Sequence, residues 1–323
     1  MNADQGFRRD LQQLGGDIRF DQPLARYGTY RIGGAAMAVL RPRSAEEVAE
    51  VLRLVSKTGI PVLPIGLGSN VLFDDAGFSG LVIRIANTIT SIEQGGPEGS
   101  QWTVGAGLPI PRLARQSASL GFRGMQRLVG VPGAVGGGVF MNAGAHHQDF
   151  AQVVRTVSLV TMTGEIDVRP ATDIQWEYRS SGLRGVVVGA TLALEPADPT
   201  LVQRELRECL RRRRAGTPFD QPCCGSVFRN PAEHEVTHLS LPEPHTAGRL
   251  IEAVGLKGYR VGGAQVSPIH ANYIVNTGGG TAAAVKRVIA MARERVRNEF
   301  GVKLMREVRY VGTTGIEVDE ELE

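Results

Sequence analysis

Residues 130–145 read GVPGAVGGGVFMNAGA, and this stretch says more about the fold than any other part of the chain. Six of its sixteen residues are glycine, and apolar residues separate them. Glycine loses more conformational freedom on folding than other residues, so this density is costly unless the backbone must approach something closely. A solvent-exposed linker would be richer in serine and charge. The stretch therefore predicts a backbone pressed against a flat, partly apolar ligand.

A second glycine-rich turn, GLGSN at residues 66–70, follows a short apolar strand predicted at 61–65. It begins like the dinucleotide fingerprint GxGxxG, but Val71 occupies the third glycine position and the following residues lack a helical pattern. A Rossmann site is therefore rejected. Two interpretations of the turn stay open: a nest of N–H groups that binds an anion, and a purely structural turn.

Hydrophobic periodicity and turn residues predict an α+β chain, with its main boundary near residues 200–217. Helices are predicted behind the capping box at 44–47 up to Gly59, and at 111–120, 201–214, 247–254 and 281–300. Strands are predicted at 61–65, 81–85, 102–105, 186–194, 272–275 and 303–311, with a hairpin over 153–168 that turns at Gly164.

Composition excludes several functional classes. The formal net charge is only +3, which argues against general nucleic-acid binding. No run approaches the roughly 18–20 apolar residues that span a bilayer, and the N-terminus does not resemble a signal peptide. Cys209, Cys223 and Cys224 form no CxxC spacing. We therefore expect a cytoplasmic protein with reduced thiols, no membrane insertion and no metal site.

The glycine turns and the motifs around them resemble the UDP-N-acetylenolpyruvoylglucosamine reductase (MurB) family. The motifs are TYRIGG at 29–34, GLGSN at 66–70, VPGAVGGGVFMNAGA at 131–145, YRSS at 178–181, GSVFRNP at 225–231, AGRLIE at 247–252, GLKG at 255–258, GGA at 262–264, SPIHAN at 267–272 and LMREV at 304–308. Each motif alone is modest. Their shared order over nearly the whole chain is specific.

This resemblance implies a fold and an activity. It implies an N-terminal segment at 1–28, a FAD-binding domain of the vanillyl-alcohol-oxidase (PCMH) type with two subdomains at 29–198, a smaller α+β substrate-binding domain at 199–312, and an acidic tail at 313–323. The implied reaction is reduction of UDP-N-acetylenolpyruvoylglucosamine to UDP-N-acetylmuramate by NADPH through FAD, in peptidoglycan precursor synthesis. We expect FAD to be bound non-covalently, because GLGSN offers no His or Cys for attachment, and we expect a monomer.

Three residues carry the chemistry by motif. Ser226 matches the proton donor for the substrate carbon, Arg179 matches the cation that meets the substrate carboxylate, and Glu307 matches the late-chain glutamate that stabilises the enol form. Each has a plainer interpretation. Ser226 is then a turn serine, Arg179 a surface ion-pair partner and Glu307 an exposed strand residue.

Other residues are assigned by the same motifs. The residues expected to bind the cofactor are Arg31, Ile32, Gly33, Gly66, Gly68, Ser69, Asn70, Gly130, Pro132, Gly133, Gly136, Gly137, Asn142 and Gly144. Those expected to bind substrate are Tyr178, Arg213, Asn230, His270 and Asn272. Arg213 belongs to the basic run 211–214, which reads either as a solvated helix end or as a contact to the UDP diphosphate.

Departures and competing interpretations remain. The interval from Arg179 to Ser226 is short, as in the subtype that lacks an inserted tyrosine loop, so how the site closes is open. The Cys223-Cys224 pair reads as apolar filler or, less favoured, as a redox-sensitive pair. Residues 234–238 match HExxH, but flanking prolines argue against the helix that zinc binding requires. A flavoprotein oxidase or a flavin-binding module on the same fold is the other alternative.

Overall fold

The computed structural model describes residues 3–317. Its helices are α1 (Ala3–Leu14), α2 (Ala45–Val55), α3 (Ile110–Ser119), α4 (Val135–Phe140), α5 (Pro199–Ala215), α6 (Glu233–Val236), α7 (Ala247–Ala253) and α8 (Ala282–Phe300). The strands of the first half are β1 (Asp17–Pro23), β2 (Ala35–Arg41), β3 (Val62–Ile65), β4 (Val71–Phe73), β5 (Phe78–Arg84), β6 (Ile92–Gly95) and β7 (Gln101–Gly105). Later strands are β8 (Phe122–Arg123), β9 (Gly144–Ala145), β10 (Gln148–Asp149), β11 (Val154–Val160), β12 (Ile166–Pro170), β13 (Val186–Ala193), β14 (Glu195–Pro196), β15 (Arg260–Val261), β16 (Ala264–Val266), β17 (Ile274–Asn276), β18 (Arg309–Val311) and β19 (Ile316–Glu317).

The chain divides into two compact units, each built from separate stretches. The first unit comprises the described residues up to Gln22, together with Met37–Leu67 and Gly80–Arg213. The second comprises Pro23–Ala36, Gly68–Ser79 and the described residues from Arg214 onward. The predicted domain ranges 29–198 and 199–312 stay a prediction. In the structure, Pro23–Ala36 and Gly68–Ser79 pack with C-terminal residues instead of with their sequence neighbours.

The first unit contains two larger sheets. One has the order β1-β2-β5-β3, and the other has the order β12-β11-β13-β7-β6. Ser44 caps helix α2 by accepting a hydrogen bond from the N–H of Glu47 on its hydroxyl. The helix buries Val48, Val51, Leu52 and Val55 in the core. This confirms the predicted helix and its serine cap, whereas the Glu47 carboxylate accepts from the N–H of Arg43 and so completes no capping box with Ser44. The hairpin β11–β12 is also confirmed, with its turn at Gly164.

The second unit is built around helix α8. Thr281 caps its N-terminus, Gly301 ends it in the left-handed conformation, and its buried face includes Val285, Val288 and Val296. Two three-stranded sheets, β15-β16-β17 and β19-β18-β4, complete this unit. Strand β4 pairs in parallel with β18, so the chain directly after the GLGSN turn joins the sheet that contains the C-terminal strands β18 and β19.

Two predicted strands differ from the structure. The strand predicted at 303–311 is only Arg309–Val311, because the N–H groups of Glu307 and Val308 both donate to the single carbonyl of Val227 and so interrupt the ladder. The strand predicted at 272–275 begins at Ile274, because Asn272 is engaged elsewhere. Of the predicted tail at 313–323, residues 318–323 lie outside the described residues, and Ile316–Glu317 forms β19. Among the described residues no helix has the length and apolar character needed to cross a bilayer.

Candidate active site

Ser226 lies on a short loop of the second unit, directly after a glycine that fixes the turn. Gly225 has φ +80°, a left-handed conformation that side chains rarely adopt. Ser226 is partly exposed, whereas Val227 and Phe228 behind it are buried. The loop therefore anchors its apolar residues in the core and leaves the serine hydroxyl near the surface.

Val227 connects the serine loop to the stretch that carries Glu307. The Val227 carbonyl accepts hydrogen bonds from the N–H of Glu307 (2.8 Å) and of Val308 (3.2 Å). The next residues pair as well, through a bridge between Phe228 and Arg306. The fold thus brings together Ser226 and Glu307, which are 81 positions apart in sequence (307 minus 226).

Asn70, at the end of the GLGSN turn, holds the same stretch from its other side. Its side-chain Nδ2 donates to the Glu307 carbonyl at 3.2 Å, and its own carbonyl accepts from the N–H of Arg309 at 3.0 Å. Asn70 was predicted to bind the cofactor. Its amide donor is used here to position the backbone of Glu307.

The turn itself is close-packed around Gly68. Gly68 has φ +71°, and a Cβ built on it would lie 2.2 Å from the Tyr27 carbonyl oxygen. The Gly68 carbonyl accepts from the N–H of Thr29 at 3.1 Å. Arg31 (φ +56°) and Gly33 (φ +130°) follow in left-handed conformations. Residues 27–33 and the turn thus form one interlocked backbone structure, as expected where the main chain and not the side chains shapes a binding surface.

Arg179 occupies the tip of a tight turn in the first unit. Glu177 and Ser180 exchange backbone hydrogen bonds of 2.9 and 3.2 Å across the turn. Arg179 has φ +59°, a strained conformation for a residue other than glycine and one that is frequent at functional sites. Its Nη2 donates to the Gly144 carbonyl at 3.1 Å, and its guanidinium carbon lies 4.7 Å from the centre of the Tyr178 ring. The guanidinium is thus fixed against the end of the glycine-rich segment.

Asn142 ties this turn to that segment. Its Nδ2 donates to the Glu177 carbonyl at 3.0 Å, and its Oδ1 accepts from the N–H of Ala151 at 3.0 Å. Asn142 is buried and was predicted to bind the cofactor. Both ends of its amide are occupied by backbone, so it braces the Arg179 turn.

The glycines of 130–145 serve two purposes. A Cβ on Gly136 would lie 2.8 Å from the Ala106 Cβ, and one on Gly138 would lie 2.4 Å from the Phe150 ring, so both are needed for packing within the protein. Gly137 between them is exposed, with no atom within 4 Å of a built Cβ. The segment therefore packs one side of α4 tightly and leaves open backbone at Gly137 on the other.

Two buried polar atoms lie at the two ends of the 130–145 segment without a partner among the described residues. They are Nε of Arg213, whose side chain packs on Gly130, and Oδ1 of Asp149, whose Cβ lies beside Gly144. A buried polar atom without a hydrogen bond is costly. A flat ligand with polar edges would satisfy both atoms, and this is the shape and chemistry of FAD or of a nucleotide sugar. Asp149 was not predicted, since a single Asp after the glycine motif gives no sequence signal.

The basic run 211–214 separates into two roles. Arg211 and Arg212 both pair with Glu208 on the exposed face of α5, at 2.8 and 2.7 Å. Arg213 instead turns inward to Gly130. Arg213 also contributes, after burial, to lowering the pKa of His146. The solvated-face interpretation therefore fits Arg211 and Arg212, and ligand contact remains a prediction for Arg213 alone.

The remaining predicted substrate residues differ in what they contact. Tyr178 is 53% exposed. Asn230 Oδ1 accepts from the N–H of Ala247 at the start of α7, at 3.2 Å. His270 Nδ1 accepts from the N–H of Asn272 at 3.1 Å, so the neutral ring carries its proton on Nε2 and presents a donor there. Asn272 itself is buried.

The cysteine pair and the HExxH motif have structural explanations. Cys224 is buried beside Tyr30, and burial, followed by Cys223 and Glu307, raises the pKa of its thiol well above the usual range. A thiol in this state is a poor nucleophile, which favours the apolar-filler interpretation. Helix α6 ends at Val236, so His238 lies beyond it, and its Nε2 contacts the Phe300 carbonyl at 3.0 Å. The described residues contain no cluster of three or more His, Cys, Asp or Glu side chains suited to a metal ion.

Comparison with known proteins places these features in one family. Residues 36–168 match the FAD binding domain model, and residues 217–311 match the C-terminal domain model of UDP-N-acetylenolpyruvoylglucosamine reductase. The chain is 40% identical over 306 residues to UDP-N-acetylenolpyruvoylglucosamine reductase of Rubrobacter xylanophilus, covering 94% of this chain and 98% of that protein. It is also 40% identical over 307 residues to the reductase of a Synechococcus strain, covering 94% of each chain.

A solved structure agrees with the sequence relatives. The crystal structure of UDP-N-acetylenolpyruvylglucosamine reductase from Thermus caldophilus superimposes with a TM-score of 0.76 at 31% identity, covering 91% of this chain and 99% of that one. The predicted fold class, with a FAD-binding domain and a smaller C-terminal domain, is confirmed. The chain belongs to the UDP-N-acetylenolpyruvoylglucosamine reductase (MurB) family of FAD-dependent oxidoreductases.

Proposed function

We propose that this protein reduces UDP-N-acetylenolpyruvoylglucosamine to UDP-N-acetylmuramate with NADPH, and that Ser226, Arg179 and Glu307 perform the chemistry on the substrate. The observation that carries the proposal is the hydrogen-bonded backbone of Val227, which fixes the serine loop against the Glu307 stretch. This anchor holds the backbones of Ser226 and Glu307 on neighbouring stretches of the second unit.

A bound FAD would supply the hydride chemistry, because NADPH reduces it and the enolpyruvyl group of the substrate reoxidises it. The open backbone at Gly137 and the two unpaired polar atoms at the ends of the 130–145 segment are the features that fit such a group. The residues proposed to hold it are those of the 31–33, 66–70 and 130–144 turns. Asn142 and Asn70 contribute to this site indirectly, because their side chains hydrogen-bond the backbone at Glu177 and at Glu307.

Arg179 binds the substrate carboxylate. A guanidinium offers two parallel N–H groups to a carboxylate, and such charge-assisted pairs are both stronger and more directional than neutral hydrogen bonds. Negative charge develops toward this carboxylate, as an enolate, when the terminal vinyl carbon of the substrate accepts a hydride. A fixed cation there stabilises the transition state more than the ground state, which is the requirement for catalysis.

Ser226 delivers a proton to the carbon next to the substrate carboxylate, and this completes the reduction. A serine hydroxyl is a weak acid, so the proton moves only when the enolate is strongly basic and the hydroxyl is already in place. Glu307 stabilises the enol form from the adjacent stretch. Tyr178, Arg213, Asn230 and the Nε2 donor of His270 bind the sugar and the diphosphate of the substrate. We further propose that the enzyme works as a monomer in the cytoplasm.

The replacement Ser226→Ala separates the two half-reactions. Reduction of the flavin by NADPH involves no proton on the substrate carbon, so this step should stay near the wild-type rate. Reoxidation by the enolpyruvyl substrate should slow by about 10²–10⁴-fold, the usual contribution of general acid catalysis. Stopped-flow absorbance of the flavin band measures both steps on one sample.

Ser240→Ala is the matched control, because Ser240 is an exposed serine of the same unit. It should leave both steps unchanged. Equal slowing of both steps by Ser226→Ala would make Ser226 a structural residue, and no slowing of either would remove it from the mechanism.

A further inference from the structure

Asn272 makes an unusually complete set of contacts with the two residues that follow Ser226. Its Oδ1 accepts from the N–H of Phe228 at 2.9 Å, and its Nδ2 donates to the carbonyl of the same residue at 2.8 Å. Its backbone carbonyl accepts from the N–H of Val227 at 2.8 Å. One residue therefore satisfies three backbone groups of the serine loop.

The geometry of the Asn272 amide permits one orientation only. Exchanging Oδ1 and Nδ2 would set two donors and two acceptors against each other at Phe228. Asn272 is only 4% exposed, so water cannot replace either bond. Its N–H in turn donates to Nδ1 of His270, which fixes the SPIHAN loop behind it. Because the side chain is buried and both its oxygen and its nitrogen bond the Phe228 backbone, it serves the protein backbone in this structure.

The position of Asn272 relates the two proposed catalytic groups of this unit. The Val227 N–H donates to the backbone carbonyl of Asn272, and the Val227 carbonyl accepts from the N–H of Glu307. The Asn272 side chain secures the next residue, Phe228, on both of its backbone groups. Val227 is thus clamped from both sides, one residue after the serine. Any shift of the clamp moves Ser226 relative to Glu307 without changing either side chain.

We propose that Asn272 is a positioning residue that sets the place of the Ser226 hydroxyl relative to Glu307, and that it does not contact the substrate. This inference rests on the proposed role of Ser226. It predicts that loss of the two side-chain bonds to Phe228 loosens the serine loop and slows proton delivery, whereas flavin reduction and substrate affinity persist. A displacement of about 1 Å at a reacting group can cost about 100-fold in rate.

The test uses Asn272→Ala and Asn272→Asp in the FAD-loaded enzyme, with both half-reactions followed by stopped flow over a range of substrate concentrations. For Asn272→Ala we expect flavin reduction by NADPH within about twofold of wild type. We expect the limiting rate of reoxidation to fall by about 10- to 100-fold at an unchanged half-saturating substrate concentration.

Asn272→Asp keeps the size of the side chain and the acceptor for the Phe228 N–H, but an ionised carboxylate opposes the Phe228 carbonyl. A protonated carboxyl restores a donor there. Its limiting reoxidation rate should therefore recover as the pH is lowered, whereas the wild-type rate should not rise in the same way. This variant also keeps the test decisive if Asn272→Ala fails to fold.

Thr281→Ala is the control for loss of stability alone, since the Thr281 hydroxyl caps α8 in the same unit by accepting from the N–H of Ala284. Equal slowing of both half-reactions, or a weaker half-saturation at an unchanged limiting rate, would overturn the positioning role. If Ser226→Ala slows reoxidation and the Asn272 variants do not, this inference alone fails. If Ser226→Ala does not slow it, the proposed function fails first.

Discussion

The sequence motifs predicted which residues belong to the site better than they predicted what each side chain does there. The motifs predicted Ser226, Arg179 and Glu307, and their surroundings are consistent with catalysis without testing it. The amides of Asn142 and Asn70 had been assigned to the cofactor, yet they hydrogen-bond backbone that carries Arg179 and Glu307. A motif records which residue type occurs in a turn. It does not record which partner the side chain finds, because that partner is distant in sequence.

The strained turn at Arg179 gives a test at this scale. Arg179→Lys keeps the positive charge but loses the forked pair of N–H groups. A hydrogen bond to a charged group contributes about 1.5–3 kcal/mol, so kcat/KM for the enolpyruvyl substrate should fall by about 10- to 100-fold. FAD content, measured by absorbance, should stay at the wild-type level.

Arg184→Lys is the matched control, since Arg184 is an exposed arginine five positions later in the same unit. It should retain full activity. Full activity in Arg179→Lys as well would favour the surface ion-pair interpretation of Arg179.

Secondary-structure elements with strong local signals were predicted well. Helices α2 and α8 and the hairpin β11–β12 follow from caps, periodicity and a turn glycine, all of which act within a few residues. The short strands β4 and β18 were not predicted at their bounds, because they pair with each other from opposite ends of the chain. The stretch 68–79 was likewise not predicted to join the C-terminal residues.

Asp75 shows how that stretch is attached and gives a test at this scale. Its Oδ1 and Oδ2 accept from the N–H groups of Ala282 and Ala283 at 2.8 and 3.1 Å, in the first turn of α8. A carboxylate there satisfies unpaired donors and complements the helix dipole. Asp75→Ala should therefore lower the free energy of unfolding by about 1–2 kcal/mol in urea denaturation followed by circular dichroism.

Asp220→Ala provides the comparison, because Asp220 is an exposed aspartate of the same unit. It should change stability by less than about 0.5 kcal/mol. Equal effects of the two replacements would contradict the capping role of Asp75.

At the scale of the whole molecule, composition predicted the class of protein, and the order of motifs predicted the family. The high glycine content has two structural causes that composition cannot separate: close packing, as at Gly136 and Gly138, and open backbone, as at Gly137. The two units each have a core of their own, assembled from stretches that are not adjacent in sequence. Discontinuity of this kind has no local signature, which is why the motifs predicted the family more readily than the division into units.

The central claim is that a bound flavin passes reducing equivalents from NADPH to the enolpyruvyl group of a UDP sugar. Anaerobic titration of the purified holoenzyme tests it most directly. One equivalent of NADPH should bleach the flavin absorbance, and one equivalent of UDP-N-acetylenolpyruvoylglucosamine should restore it without oxygen. UDP-N-acetylglucosamine, which lacks the enolpyruvyl group, should leave the flavin bleached. A flavin that stays reduced with the enolpyruvyl substrate and is reoxidised only when oxygen is admitted would contradict the claim and favour an oxidase.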